Sequence, residues 1–105
     1  MLLARKTIGL GDKALYTIDL SQWMLGIETL STVAAEATPV TTPPLTVLAE
    51  ELSPGLIGVT VTGGVVDETY SVQITYSTEQ DSDPGNILRI QNDCIEVTIG
   101  LPCET

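Results

Sequence analysis

Apolar and polar side chains alternate along much of this chain. Between Thr69 and Thr78, Tyr70, Val72, Ile74 and Tyr76 stand at every second position, separated by Ser71, Gln73 and Thr75. Successive side chains of a strand point to opposite faces, so this spacing predicts a half-buried strand. Leu56 to Thr62 predicts another, with Ile57, Val59 and Val61 inward, and Leu15 to Leu20 a third, with Tyr16, Ile18 and Leu20 on one face. Leu45 to Glu50 also reads as a strand. Ile27 to Ala35 does too, although Ala34-Ala35-Glu36-Ala37 is a good helix former. Ile87 to Gln91 and Cys94 to Ile99 complete the set, around an Asn92-Asp93 turn. About seven short strands with regularly spaced turns predict an all-β, immunoglobulin-like antiparallel β-sandwich.

The breaks between strands sharpen that expectation. Gly63-Gly64 reads as a tight strand end needing positive φ, followed by an Asp67-Glu68 turn. Tyr70 then falls just after a corner. In an immunoglobulin-like sandwich, such a ring is buried and its hydroxyl ties down the preceding turn. Ser21 is placed to cap a single helical turn that Gly26 ends. Trp23, within it, is expected as a plug between the sheets, with a sugar- or partner-stacking role as the alternative. Pro39, Pro43 and Pro44 predict an extended connection or a sheet edge over 36–44. Glu51 to Gly55 is a turn, and Glu79 to Asn86 a polar loop. Residues 1–13 read as an extended arm, either frayed or ordered against a neighbouring subunit. The organisation is thus an arm (1–13), a sandwich (14–100) and a C-terminal tail (101–105).

Composition narrows the chemistry. The 105 residues contain no Phe, one Trp and three Tyr but fifteen Thr, so the core rests on Val, Ile, Leu and Thr. The net charge is −10, with 14 acids against 4 bases. Nothing in that balance neutralises a row of phosphates or an anionic bilayer, so neither nucleic acid nor membrane is expected as a partner. A basic protein surface is the better match. Met1 to Lys6 lacks the order of a signal peptide, because the charges follow the apolar residues. With no histidine, most metal-binding and triad schemes are excluded. Asp81-Ser82-Asp83-Pro84-Gly85-Asn86 has some oxygen ligands of a calcium loop, but Asn92 stands where a bidentate Glu is needed. Adjacent carboxylates at Glu50-Glu51 and Asp67-Glu68 point to opposite faces and read as surface charge. Cys94 and Cys103 are too few for a disulfide framework, and a bridge between them requires the tail to fold back. No catalytic, cofactor or metal site is predicted, and no enzyme.

Two segments carry a family resemblance. Lys13 to Gly26 resembles the opening of a family of small tailed-phage virion proteins, the phage fiber-tail adaptors. Asp19-Leu20-Ser21 stands where that family has Asp-Trp-Ser, and Trp23 falls at a position that is often aromatic. Val59-Thr60-Val61-Thr62-Gly63-Gly64 through Tyr70-Ser71-Val72 is similar to its apolar strand, Gly-Gly and Thr-x-Tyr pattern. Leu88 to Ile99 is similar in outline, so the resemblance spans about residues 13–99. Arg89 alone stands for the family's late basic run, and the Thr-Pro stretch at 38–46 replaces a simpler turn.

The resemblance implies a non-catalytic virion protein that docks between the portal or tail region and a fibre or spike. Multiple copies per particle are implied, assembled in the host bacterial cytoplasm. A capsid decoration protein contacting the major capsid protein is the first alternative. A carbohydrate- or surface-binding module using Trp23 or Tyr76 is the second.

Overall fold

The computed structural model describes residues 2–20, 22–24 and 26–101. Seven strands follow one another: β1 (Leu2–Gly9), β2 (Lys13–Asp19), β3 (Glu28–Thr38), β4 (Leu45–Ser53), β5 (Leu56–Gly63), β6 (Thr69–Gln80) and β7 (Asp83–Gly100). They form a four-stranded sheet in the order β1-β7-β6-β3 and a three-stranded sheet in the order β2-β5-β4. β1 runs parallel to β7, and all other neighbours are antiparallel. The connections after β1, β2, β3 and β5 each pass from one sheet to the other, so the two layers interlock as an immunoglobulin-like sandwich.

The alternation in the sequence sets what lies between the layers. Ile57, Val59 and Val61 of β5 face Tyr70, Val72 and Ile74 of β6 and Ile95, Val97 and Ile99 of β7, all at most 3 % exposed. The opposite face of the four-stranded sheet is polar apart from Leu88 and Ile90 near the end of the β6–β7 hairpin. Hydroxyl and amide pairs lace it together, including Thr69 with Thr98, Thr75 with Asn92 and Thr32 with Ser77.

Tyr70 makes the predicted corner. Its hydroxyl accepts a hydrogen bond from the Val65 N–H (2.9 Å) and lies 2.7 Å from Thr41 Oγ1. Thr41 spends its single proton on the Pro43 carbonyl (2.8 Å), so Tyr70 is the donor to Thr41. One phenol therefore joins the β5–β6 corner to the proline-rich β3–β4 connection. Gly63 and Gly64 both have the expected positive φ, 87° and 86°. Gly64 also makes room for the corner, because a Cβ there would sit 3.1 Å from both Tyr70 Cε1 and Ile99 Cγ1.

Three expectations change. The stretch read as an arm forms β1 from Leu2 to Gly9 and pairs with the chain's own β7, with Ile8 packed on the core. Its weak alternation and parallel pairing leave little periodic signal. Asn92-Asp93 is not a turn, and the two strands predicted around it are one, β7. Neither residue is Gly or Pro, and each is used by a cross-strand neighbour. Asn92 accepts from Thr75 (2.7 Å) on the outer face, and Asp93 accepts from Tyr76 (2.6 Å) on the inner one. The polar loop over 79–86 is mostly strand, with the reversal confined to Asp81 and Ser82. At Ser21 the proposed cap lies outside the described residues. The turn itself is present, with the Trp23 and Met24 N–H groups both donating to the Leu20 carbonyl (2.9 and 2.8 Å).

Candidate docking surfaces

β6 and β7 form a long hairpin, flanked on the β6 side by β3 as far as Gln80. Among the described residues β1 pairs with β7 only from Cys94 onward, so there the preceding part of β7 has β6 on one side and an open edge on the other. Every residue from Asp81 to Leu88 is exposed, as is Ile90 at 66 %. The hairpin thus presents Ile87, Leu88 and Ile90 to solvent beside the acids Glu79, Asp81 and Asp83. An open strand edge bearing apolar side chains is a template for another chain unless something covers it.

A cluster near its closed end fixes this hairpin to the body. Arg89 lies opposite Thr78 of β6 and points inward. Its Nε donates to Glu28 Oε2 (2.9 Å), and one terminal nitrogen donates to both Glu28 Oε1 and the Trp23 carbonyl. The guanidinium also stacks 3.8 Å from the centroid of the Trp23 ring. Trp23 meets Tyr76 edge-on, with centroids 5.4 Å apart and planes at 85°. The Glu28 side chain is fully enclosed and accepts a further hydrogen bond from the Thr78 hydroxyl. Packing, a buried carboxylate and a cation over an indole therefore set where the hairpin points.

Sequence reasoning placed Trp23 in the core and missed Glu28. The tryptophan is half-buried at the end of the sandwich, with Arg89 over one face. Tyr76, offered as an alternative stacking platform, is 2 % exposed and unavailable to a sugar. The signal for Glu28 was its position two residues before the inward-facing Leu30, in a strand where an acid on that face needs a cation.

Tyr76 carries a pH dependence. Burial first, then the Asp93 hydrogen bond and charge, raise its pKa far above the ordinary value of 10.0, with Arg89 opposing. The folded state holds the phenolic proton more tightly than the unfolded chain does. This contribution is intact below the unfolded pKa and is lost as pH rises above about 10. Urea midpoints measured through that range are expected to fall, and to fall less steeply in Tyr76→Phe, which has no proton to lose. Equal slopes in the two proteins would show that another group governs the alkaline limb.

The Asp81 to Asn86 segment sits at the hairpin tip, where the Gly85 N–H donates to Glu79 Oε2 (2.9 Å). Among the described residues, no group of three or more His, Cys, Asp or Glu side chains is arranged to hold a metal ion. Cys94 is half-buried opposite Gln73, and Cys103 lies outside the described residues. Glu50, Glu51 and Asp67 are exposed and Glu68 is half-buried. No helix among the described residues is long and apolar enough to cross a membrane.

Polar outer faces, open sheet edges and the exposed end of the β6–β7 hairpin are the surfaces this sandwich offers to other molecules. Its sequence places it further. Residues 10–88 match the family model of the podophage GP4 fiber-tail adaptor protein gp77, and the chain belongs to that family. The match runs from the end of β1 through the hairpin tip, and β1 and most of β7 lie outside it. No curated protein sequence matches the chain.

Proposed function

We propose that this chain is a non-catalytic adaptor of a tailed-phage virion, docking between the portal or tail region and a fibre or spike. The observation that carries this reading is the exposed end of the β6–β7 hairpin, where β7 has no strand on its outer side among the described residues. Its open β7 edge offers main-chain groups for strand addition, and Leu88 and Ile90 offer side-chain specificity on one face. Glu79, Asp81 and Asp83 around them favour a basic surface on the fibre or tail component. The Arg89 cluster holds the hairpin at a fixed angle, so little ordering entropy is lost on docking. Assembly takes place in the host cytoplasm, and several copies act together to give a strong attachment from individually modest contacts.

The test is a density map of particles carrying the wild-type chain or Ile90→Asp. Wild-type density is expected at the tail or portal in contact with a fibre, and the variant is expected to fold normally but lose that contact. Density at capsomer junctions would make the chain a decoration protein instead. Normal fibre attachment by the variant would remove the hairpin from the interface.

A further inference from the structure

The connection between β3 and β4 stands apart in composition. Between Glu36 and Glu50 the chain carries no charge at all, although it has 14 acids and 4 bases. β3 ends at Thr38 and β4 begins at Leu45, so the connection is Pro39, Val40, Thr41, Thr42, Pro43 and Pro44. Pro39, Thr42, Pro43 and Pro44 are exposed. Val40 is 84 % exposed, more than any other large apolar residue described. The loop also has a definite place. Thr38 pairs with Ser71 near the start of β6, and Leu45 pairs with Gly63 at the end of β5. The β6–β7 hairpin reverses after Gln80, at the other end of β6. The loop and the hairpin tip therefore mark opposite ends of a molecule 48 Å long.

Surface loops are ordinarily mobile, but this one is held from beneath. Thr41 receives the proton of the buried Tyr70 hydroxyl and donates its own to the Pro43 carbonyl. The Gly64 N–H donates to the Pro44 carbonyl (3.2 Å). Three prolines fix their own φ angles as well. Thr41 is thus tied to the core while Val40 beside it faces solvent. Asp12, Lys13, Asp67 and Glu68, the charges at this end, belong to the neighbouring turns and to the first residue of β2. The loop itself is a braced, uncharged knob.

We infer that the β3–β4 loop is a second docking surface, and that it seats in a shallow, uncharged, aromatic-lined groove on the tail component that anchors the adaptor. The chemistry of the loop names this occupant. A segment without charge offers nothing to an ionic partner, so recognition comes from shape and apolar contact. Val40 is a side chain placed to fill a pocket. Proline rings present apolar faces that aromatic side chains cover, as in the grooves that read proline-rich segments. Because the loop is already braced, little conformational entropy is lost when it seats. The hairpin tip differs in each respect, with Asp81 and Asp83 exposed beside an open strand edge. Two ends of unlike chemistry discriminate between two unlike neighbours. The inference rests on the adaptor reading and adds to it which end meets which neighbour.

The experiment compares particles made with the wild-type chain, with Val40→Asp and with Ile90→Asp. Val40 faces solvent, so Val40→Asp should keep the wild-type circular dichroism and thermal midpoint. A carboxylate forced into an apolar pocket is costly. Val40→Asp is therefore expected to load onto particles about tenfold or more weakly, whereas Ile90→Asp loads normally and loses the fibre. The wild-type chain is expected to stay on the tail through a high-salt wash, because this contact has no ion pair to screen. A photo-cross-linker in place of Val40 should join a tail component at a segment containing Trp, Tyr or Phe. Normal loading of folded Val40→Asp overturns the inference and leaves the adaptor role standing. So does Val40→Asp that loads but loses the fibre, which would turn the loop toward the fibre instead. Release of the wild type by salt, or a cross-link to a charged segment without aromatic residues, overturns the groove. A wild-type chain absent from particles would sink the adaptor reading and the inference with it.

Discussion

Tyr70→Ala is expected to lower the unfolding free energy by about 3–5 kcal/mol, in the range of large aromatic deletions from a core. The ring is fully buried between the sheets and abuts Gly64, whose missing side chain exists to admit it. Its hydroxyl adds a separate contribution, because it accepts from the Val65 N–H and donates to Thr41. Tyr70→Phe keeps the packing and removes the acceptor, so its cost is about 1–3 kcal/mol. Burial therefore outweighs the hydrogen bonds, and the order Ala, then Phe, then wild type in urea midpoint is the diagnostic result. Equal midpoints for Phe and wild type would mean that the corner bond contributes nothing net. An unchanged midpoint for Ala would contradict the packing itself.

Arg89→Ala is the second large effect. It removes the countercharge of Glu28, whose carboxylate has no exposed surface of its own. A buried charge deprived of its partner is far more costly than an ion pair replaced whole by apolar groups. The single substitution is therefore expected to destabilise the protein strongly, and adding Glu28→Leu to restore part of the loss. Local signatures separate this from a general weakening. Trp23 loses the guanidinium over its ring and the donor to its carbonyl, so its emission should shift to the red. Amide exchange should speed up first in β7 before Cys94, where β1 gives no support, and least in β5. A uniform rise in exchange would show that Arg89 supports the whole fold rather than the hairpin's attitude.

Local alternation was sufficient for β2, β5 and β6, because each buries one face and exposes the other. The Gly63-Gly64 break and the Tyr70 corner were legible for a related reason, since both depend on residue types that few positions tolerate. Legibility failed where the deciding contact is distant in sequence. β1 is a strand only because β7 lies beside it, ninety or so positions away by register. Asn92-Asp93 carries turn chemistry, yet Thr75 and Tyr76 across the ladder claim both side chains. The docking surfaces were least visible of all. Ile87, Leu88 and Ile90 read as ordinary strand residues until the topology shows that no second layer covers them.

β7 has a mechanical consequence. Its 18 residues, at roughly 3.3 Å each, are long enough to run the 48 Å length of the molecule. It reaches from the hairpin tip to the far end, where Gly100 lies beside Gly9 of the parallel β1. Ladder hydrogen bonds stand across the strand direction. Tension between a fibre held at the tip and an anchor at the opposite end therefore loads those bonds in shear, many at once, rather than peeling them open singly. A single continuous strand clasped on both sides over its last third is the arrangement that carries such a pull, and a turn at Asn92 would have interrupted it.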